Sequence, residues 1–176
     1  MFKTFAFIDA SNLFYGGEKS LGWRIDYEKL IIYLKQKYSV SRIFYFGGVE
    51  IHHYPYDYLR ESTVPLKELL NFLNNILEQN KWRFQEKETV LLIKHIQRVR
   101  FYLKLQSFGY ELFLKPVKVY RENGVIKKKA NCDVEMTFYL MKEKENFDRA
   151  IILSGDGDFT RLESHIRFEE NKRGGH

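Results

Sequence analysis

Two apolar runs that each stop abruptly in acid constrain this chain more than any other feature. Phe5-Ala6-Phe7-Ile8 leads straight into Asp9-Ala10-Ser11-Asn12, and Ala150-Ile151-Ile152-Leu153 leads into Ser154-Gly155-Asp156-Gly157-Asp158-Phe159. Apolar runs without polar alternation are the pattern of strands covered by helices on both faces. If two such strands are neighbours, their terminal carboxylates converge at one edge of a parallel sheet. That edge is where open α/β folds bind ligands and metals.

The segments between these runs alternate between helical and extended patterns. Asp26 is placed to cap a helix with Tyr27, Leu30, Ile31, Leu34 and Tyr38 on one face. Val40 to Val49 reads as a second core strand and His52 to Arg60 as a loop. Ser62 or Thr63 is expected to cap the next helix, with Pro65 in its first turn and an apolar stripe at Leu66, Leu69, Leu70, Leu73, Ile76 and Leu77. A further helix is predicted from Thr89 to Ser107, closed by Gly109, and a third strand from Tyr110 to Leu114. Asn123-Gly124 between two extended segments predicts a hairpin. Asp133 is expected to cap a helix running to Glu145, Arg149 to Leu153 is the fourth core strand, and Asp158 caps a last helix from Phe159. This alternation predicts an α/β fold with a mostly parallel sheet, and 176 residues suffice for one domain over 1–176.

The net charge of +6 and a pI of about 9.2 favour an anionic partner, although surface lysines serving solubility give the same balance. Cys132 is the single cysteine, which excludes an internal disulfide and a cysteine-based zinc site. That fits a reducing compartment. The apolar N-terminus reaches Asp9 too soon for a signal peptide, and no apolar run approaches the roughly 18 residues a membrane span requires. A cytoplasmic protein is the expectation. An aromatic share of 16% exceeds what a core of this size needs and leaves room for a homodimer, with the Leu66–Leu77 stripe itself read as core.

The candidate chemistry lies in Asp9, Asp133, Asp156 and Asp158. Carboxylates held within a few ångström repel one another, and a divalent cation resolves that repulsion. Oxygen-only ligands select hard ions such as Mg²⁺ or Mn²⁺, which activate water and stabilise charge on a phosphodiester. Each residue also has a purely structural reading: Asp9 as a turn residue, Asp133 and Asp158 as helix caps, Ser154 as a turn hydroxyl rather than a supporting donor. Asp156, between two glycines, is hardest to explain that way. Beside this edge, Lys115, Lys118, Arg121, Lys127, Lys128 and Lys129 surround the predicted hairpin with Tyr120 among them. That combination suits a nucleic-acid strand whose phosphates are guided and whose bases stack. Lys94, Arg98, Arg100 and Lys104 on the long helix extend the basic track or serve solubility. His52 and His53 in the loop give no pattern of a His-dependent mechanism.

Phe7-Ile8-Asp9-Ala10-Ser11-Asn12-Leu13, the lysine-rich run into Cys132-Asp133-Val134-Glu135-Met136, and Leu153-Ser154-Gly155-Asp156-Gly157-Asp158-Phe159 resemble, in order, the three motifs of the NYN-domain family. The resemblance is nearest to its LabA-like branch, within the PIN-like ribonuclease superfamily. It implies a three-layer α/β/α sandwich with a mostly parallel central sheet. It further implies an Mg²⁺- or Mn²⁺-dependent endoribonuclease acting on single-stranded or structured RNA, with Asp9, Asp133, Asp156 and Asp158 as the acidic cluster. Asn12 would support the first motif. Two positions depart from the family pattern. Tyr139 stands where relatives often carry another Asp, six residues after Asp133. After Leu162 the sequence closes in the polar run Glu169 to His176, where the family has a helix, a glycine turn and an edge strand. Tyr139 keeps open an alternative, an RNA-binding module of the same fold with weakened or lost catalysis. A phosphatase of haloacid-dehalogenase type requires a second Asp two residues after Asp9, where Ser11 stands.

Overall fold

The computed structural model describes residues 2–14, 22, 25–80, 82–122, 125–130 and 132–154. Strand β1 (Thr4–Asp9) runs into a short helix, α1 (Ala10–Phe14); α2 (Tyr27–Tyr38) leads to β2 (Val40–Val49), and α3 (Leu66–Gln79) and α4 (Glu86–Phe108) lead to β3 (Glu111–Pro116). An antiparallel hairpin follows, β4 (Lys118–Glu122) and β5 (Val125–Lys129), then α5 (Cys132–Glu143) and β6 (Arg149–Leu153). The main sheet has the order β3-β2-β1-β6, and all its pairings are parallel. The chain therefore builds outward from β1 to β3, then returns to place β6 on the other side of β1, with Ile8 paired to Leu153. The junction of β1 and β6 is the switch point of the sheet, where the two acid-ended runs lie side by side.

The alternation of side chains along β1 and β2 divides the core. Ala6, Ile8, Ile43, Tyr45 and Val49 face α2, α3 and α4, while Phe5, Phe7, Phe44 and Phe46 face α5 through Met136, Tyr139 and Leu140. Helices on both faces complete the expected α/β/α sandwich. The second core is an aromatic stack: Phe7 lies flat on Phe44 at 4.8 Å, and Phe46 on Phe113 at 5.4 Å. Removing one such ring costs about 3–5 kcal/mol, so this layer dominates the attachment of α5. At the far end of the sheet Arg42 makes two bonds to Glu111, at 2.6 and 2.7 Å, and one to Glu143 at 3.0 Å, joining β3 to the last turn of α5. Most of the large aromatic residues are thus used within the fold. No helix among the described residues is long and apolar enough to cross a membrane.

Asp26 caps α2 by accepting from Lys29 N at 3.0 Å, and Gly109 closes α4 in the left-handed region at φ 100°. Three local expectations are corrected. Pro65, not Ser62 or Thr63, occupies the cap position of α3; the Thr63 hydroxyl instead accepts from Leu114 N at 2.8 Å, tying the incoming loop to β3. The long helix starts at Glu86, because Gln85 and Glu88 form a capping box that extends it one turn upstream of Thr89. Asp133 lies inside the first turn of α5 rather than capping it. The Gly16-Gly17 break, the Asn123-Gly124 turn and the helix after Asp158 lie outside the described residues.

Gly48 allows the exit of the hairpin to press onto β2. A Cβ there would sit 2.6 Å from Ala130 Cβ and 2.9 Å from Val117 Cγ2. Gly48→Ala is therefore expected to lose about 1–3 kcal/mol in urea unfolding, because overpacking forces the hairpin base off the strand.

Candidate metal centre

Asp9 is the last residue of β1 and is buried, with 3% of its surface exposed. Its Oδ1 accepts the Ser11 N–H at 2.8 Å, the bond that caps the opening turn of α1. Asp9 thus makes the bond of a turn residue, and the start of α1 fixes its carboxylate at the carboxyl edge of the sheet. Asp133 sits half-buried in the first turn of α5, where the helix dipole favours a negative group. The two meet around Cys132. Its buried thiol is pushed up to about 12, by burial first and then by the nearby carboxylates of Asp9, Asp133 and Glu135, with Lys115 opposing. The side chains of Asp9, Asp133 and Glu135 near this thiol offer oxygen donors.

Ser154 follows β6 directly, beside the end of β1. Asp156 and Asp158 lie outside the described residues, as does the side chain of Asn12. Among the described residues no three His, Cys, Asp or Glu side chains gather to hold a metal ion. Lys115 is engaged by Glu135 at 2.9 Å, and Lys118 lies over the Tyr58 ring at 5.8 Å. The side chains of Tyr120, Arg121, Lys127, Lys128 and Lys129 lie outside the described residues; the backbone ladder that carries them is formed as expected.

Sequence reasoning passed over a polar group at the end of β2. His52, held at φ 47° in a turn, hydrogen-bonds the buried His95 of α4, whose other ring nitrogen lies 3.5 Å from Glu50. The Tyr102 hydroxyl donates to Gly48 O at 2.9 Å. The adjacent histidines His52-His53 were the only signal for the group; its α4 members lie more than forty residues away and meet it only through the fold.

Tyr139 packs in the aromatic layer: it is buried against Phe113 at 3.8 Å between centroids, with Phe44 and Phe46 beyond. Tyr139→Asp is expected to lose about 3 kcal/mol or more, because it places a carboxylate among aromatic rings, and Tyr139→Phe about 1 kcal/mol or less. Thermal unfolding of the two variants checks this. The burial of the thiol makes a second prediction: Cys132 reacts with iodoacetamide at pH 8 far more slowly in the native protein than in urea, as intact-mass measurement would show.

The chain is similar in structure to a protein of unknown function from Vibrio parahaemolyticus, with a TM-score of 0.58 and 20% identity, covering 96% of this chain and 76% of that one. It is also similar to the T5 5′-exonuclease with zinc ions bound, with a TM-score of 0.48 and 17% identity over 90% of this chain and 51% of that one. The bacteriophage T5 flap endonuclease in complex with DNA and metal ions matches with a TM-score of 0.42 and 16% identity over 88% and 49%. The chain thus spans about half the length of the T5 proteins. No curated protein matches it. The family model described as the NYN domain matches residues 71–174, more than half of the sequence and a range that contains Asp133, Asp156 and Asp158, so the chain belongs to the NYN domain family.

Proposed function

We propose that this protein is a divalent-metal-dependent endoribonuclease of the PIN-like superfamily, from the LabA-like branch of the NYN family, acting in the cytoplasm. The observation that carries the reading is the placement of buried Asp9 at the switch point of a parallel sheet, with Asp133 brought to the same edge by α5. A buried carboxylate at a strand end, beside a second one, fits a hard cation better than it fits a structural turn. The carboxylates expected at this edge (Asp9, Asp133, Asp156 and Asp158) make an oxygen donor set, which fits Mg²⁺ or Mn²⁺.

Asp9 and Asp133 would hold the ion together with Asp156 and Asp158. When bound, it supplies Lewis-acid activation of water and neutralises charge on the phosphate. The protein's own groups do the rest. The Ser11 N–H fixes the Asp9 carboxylate, Lys115 holds Glu135 beside the edge, and the basic hairpin guides the RNA backbone. The alternative of a non-catalytic RNA-binding module drew its support from Tyr139. That side chain packs in the aromatic layer, and tight RNA binding without metal-dependent turnover is the outcome that would favour the alternative.

Asp9→Asn is the direct test. Asn retains Oδ1 as an acceptor for Ser11 N–H, so the melting temperature is expected to hold within the effect of about 1 kcal/mol. Cleavage of single-stranded or structured RNA in Mg²⁺ or Mn²⁺ is expected to fall at least about 100-fold. Undiminished cleavage by Asp9→Asn combined with Asp156→Asn, or no cleavage by the metal-loaded wild-type protein, overturns the reading.

A further inference from the structure

The loop between β2 and α3 carries an aromatic run, Tyr54-Pro55-Tyr56-Asp57-Tyr58, that the carboxylate site does not use. Tyr58 leaves 54% of its surface to solvent, and its neighbour Leu59 leaves 98%. Exposed rings are ordinarily free to turn, but this one is braced. Tyr56 meets it edge-on at 4.9 Å and 84°, and the Tyr56 hydroxyl donates to Glu61 O at 2.7 Å. Asp57 accepts from Leu59 N at 2.9 Å and Arg60 N at 3.3 Å, which closes the turn under the ring. Lys118, the first residue of β4, holds its Nζ 5.8 Å from the Tyr58 centroid. A half-exposed ring on a braced turn and a cation from β4 therefore stand together.

The turn runs beside the acidic edge. Just after it, the Thr63 hydroxyl accepts from Leu114 N at 2.8 Å and Val64 N donates to Leu114 O at 3.0 Å, which ties the loop to β3. The next residue of β3, Lys115, bonds Glu135 at 2.9 Å, two residues from Asp133 in the first turn of α5. In keeping with that arrangement, burial, then Glu61, then Glu135 push the Tyr56 phenol up to about 12.

We propose that Tyr58, with Lys118 beside it, is a stacking platform for one base of a single-stranded nucleic acid led toward the Asp9–Asp133 edge. This deepens the nuclease reading and rests on it for the direction of the strand. A half-exposed ring accepts any base on its solvent side, and an ammonium within reach pairs with the adjoining phosphate. A duplex offers no such face, because its bases are stacked on one another. The platform therefore selects single strands or unpaired loops. The positive charge in the hairpin sequence (Arg121, Lys127, Lys128 and Lys129) complements a polyanion rather than an apolar protein partner.

The probe is a short single-stranded oligoribonucleotide carrying 2-aminopurine, with its duplex and the DNA strand of the same sequence as comparisons, in EDTA so that nothing is cleaved. Binding is expected to quench the fluorescent base. Tyr58→Ala is expected to weaken single-strand affinity about tenfold and abolish the quench, while Tyr58→Trp retains both. Lys118→Ala is expected to weaken affinity in low salt and to flatten its salt dependence. Equal affinity of RNA and DNA strands supports a platform that reads only the base face. Unchanged affinity in Tyr58→Ala overturns the proposal, as does equal loss of duplex binding. Absence of oligonucleotide binding by the wild-type protein, the result expected of a protein-docking loop, overturns it as well. Tyr58-dependent binding without cleavage once Mg²⁺ or Mn²⁺ is added sinks the nuclease reading and leaves the platform standing.

Discussion

Everything at the candidate site depends on β1 being a fully covered central strand. All six of its residues are buried, it pairs in parallel with β2 on one side and β6 on the other, and its two faces supply both cores. A strand so enclosed has one place to put a charged side chain, its end. There Asp9 accepts a backbone N–H that would otherwise lack a partner at the start of α1. Burial of the strand and placement of its carboxylate at one edge are the same structural fact.

The second constraint is α5, which serves the site and the core at once. Its first turn brings Asp133 and Glu135 to the acidic edge, while Cys132, Met136, Tyr139 and Leu140 pack on the phenylalanine face of the sheet. The aromatic layer and the Arg42 bonds to Glu143 and Glu111 hold the helix at its opposite end. The ion pairs there are more than a third exposed on the Arg42 side, so each adds about 1 kcal/mol or less beside the aromatic burial. The position of the carboxylates is thus set chiefly by apolar packing tens of atoms away from them.

Much of this was legible in advance. The apolar runs ending in Asp9 and after Leu153, the Asp26 cap, the Gly109 helix stop and the antiparallel hairpin all follow from local patterns of one to ten residues. The misread positions share a cause. Thr63 has the chemistry of a helix cap but satisfies a strand N–H fifty-one residues away, and Tyr139 occupies a motif position yet answers to the volume of the aromatic layer. In each case a long-range partner outbid the local preference, and no spacing rule records such partners.

The sequence by itself determined which residues end the buried strands in acid, because an unbroken apolar run can be read as a covered strand and a carboxylate cannot continue it. Only the tertiary structure decided that those ends are neighbours. Strand order depends on where the chain returns after the hairpin and α5, and the return to β1 rather than to β3 comes from packing the phenylalanine face under α5. The same packing sorted the remaining polar residues: it brought His52 to His95 and Glu135 to Lys115, and it turned Tyr58 outward. Contacts made across dozens of residues are settled by burial and shape, which a linear pattern does not encode.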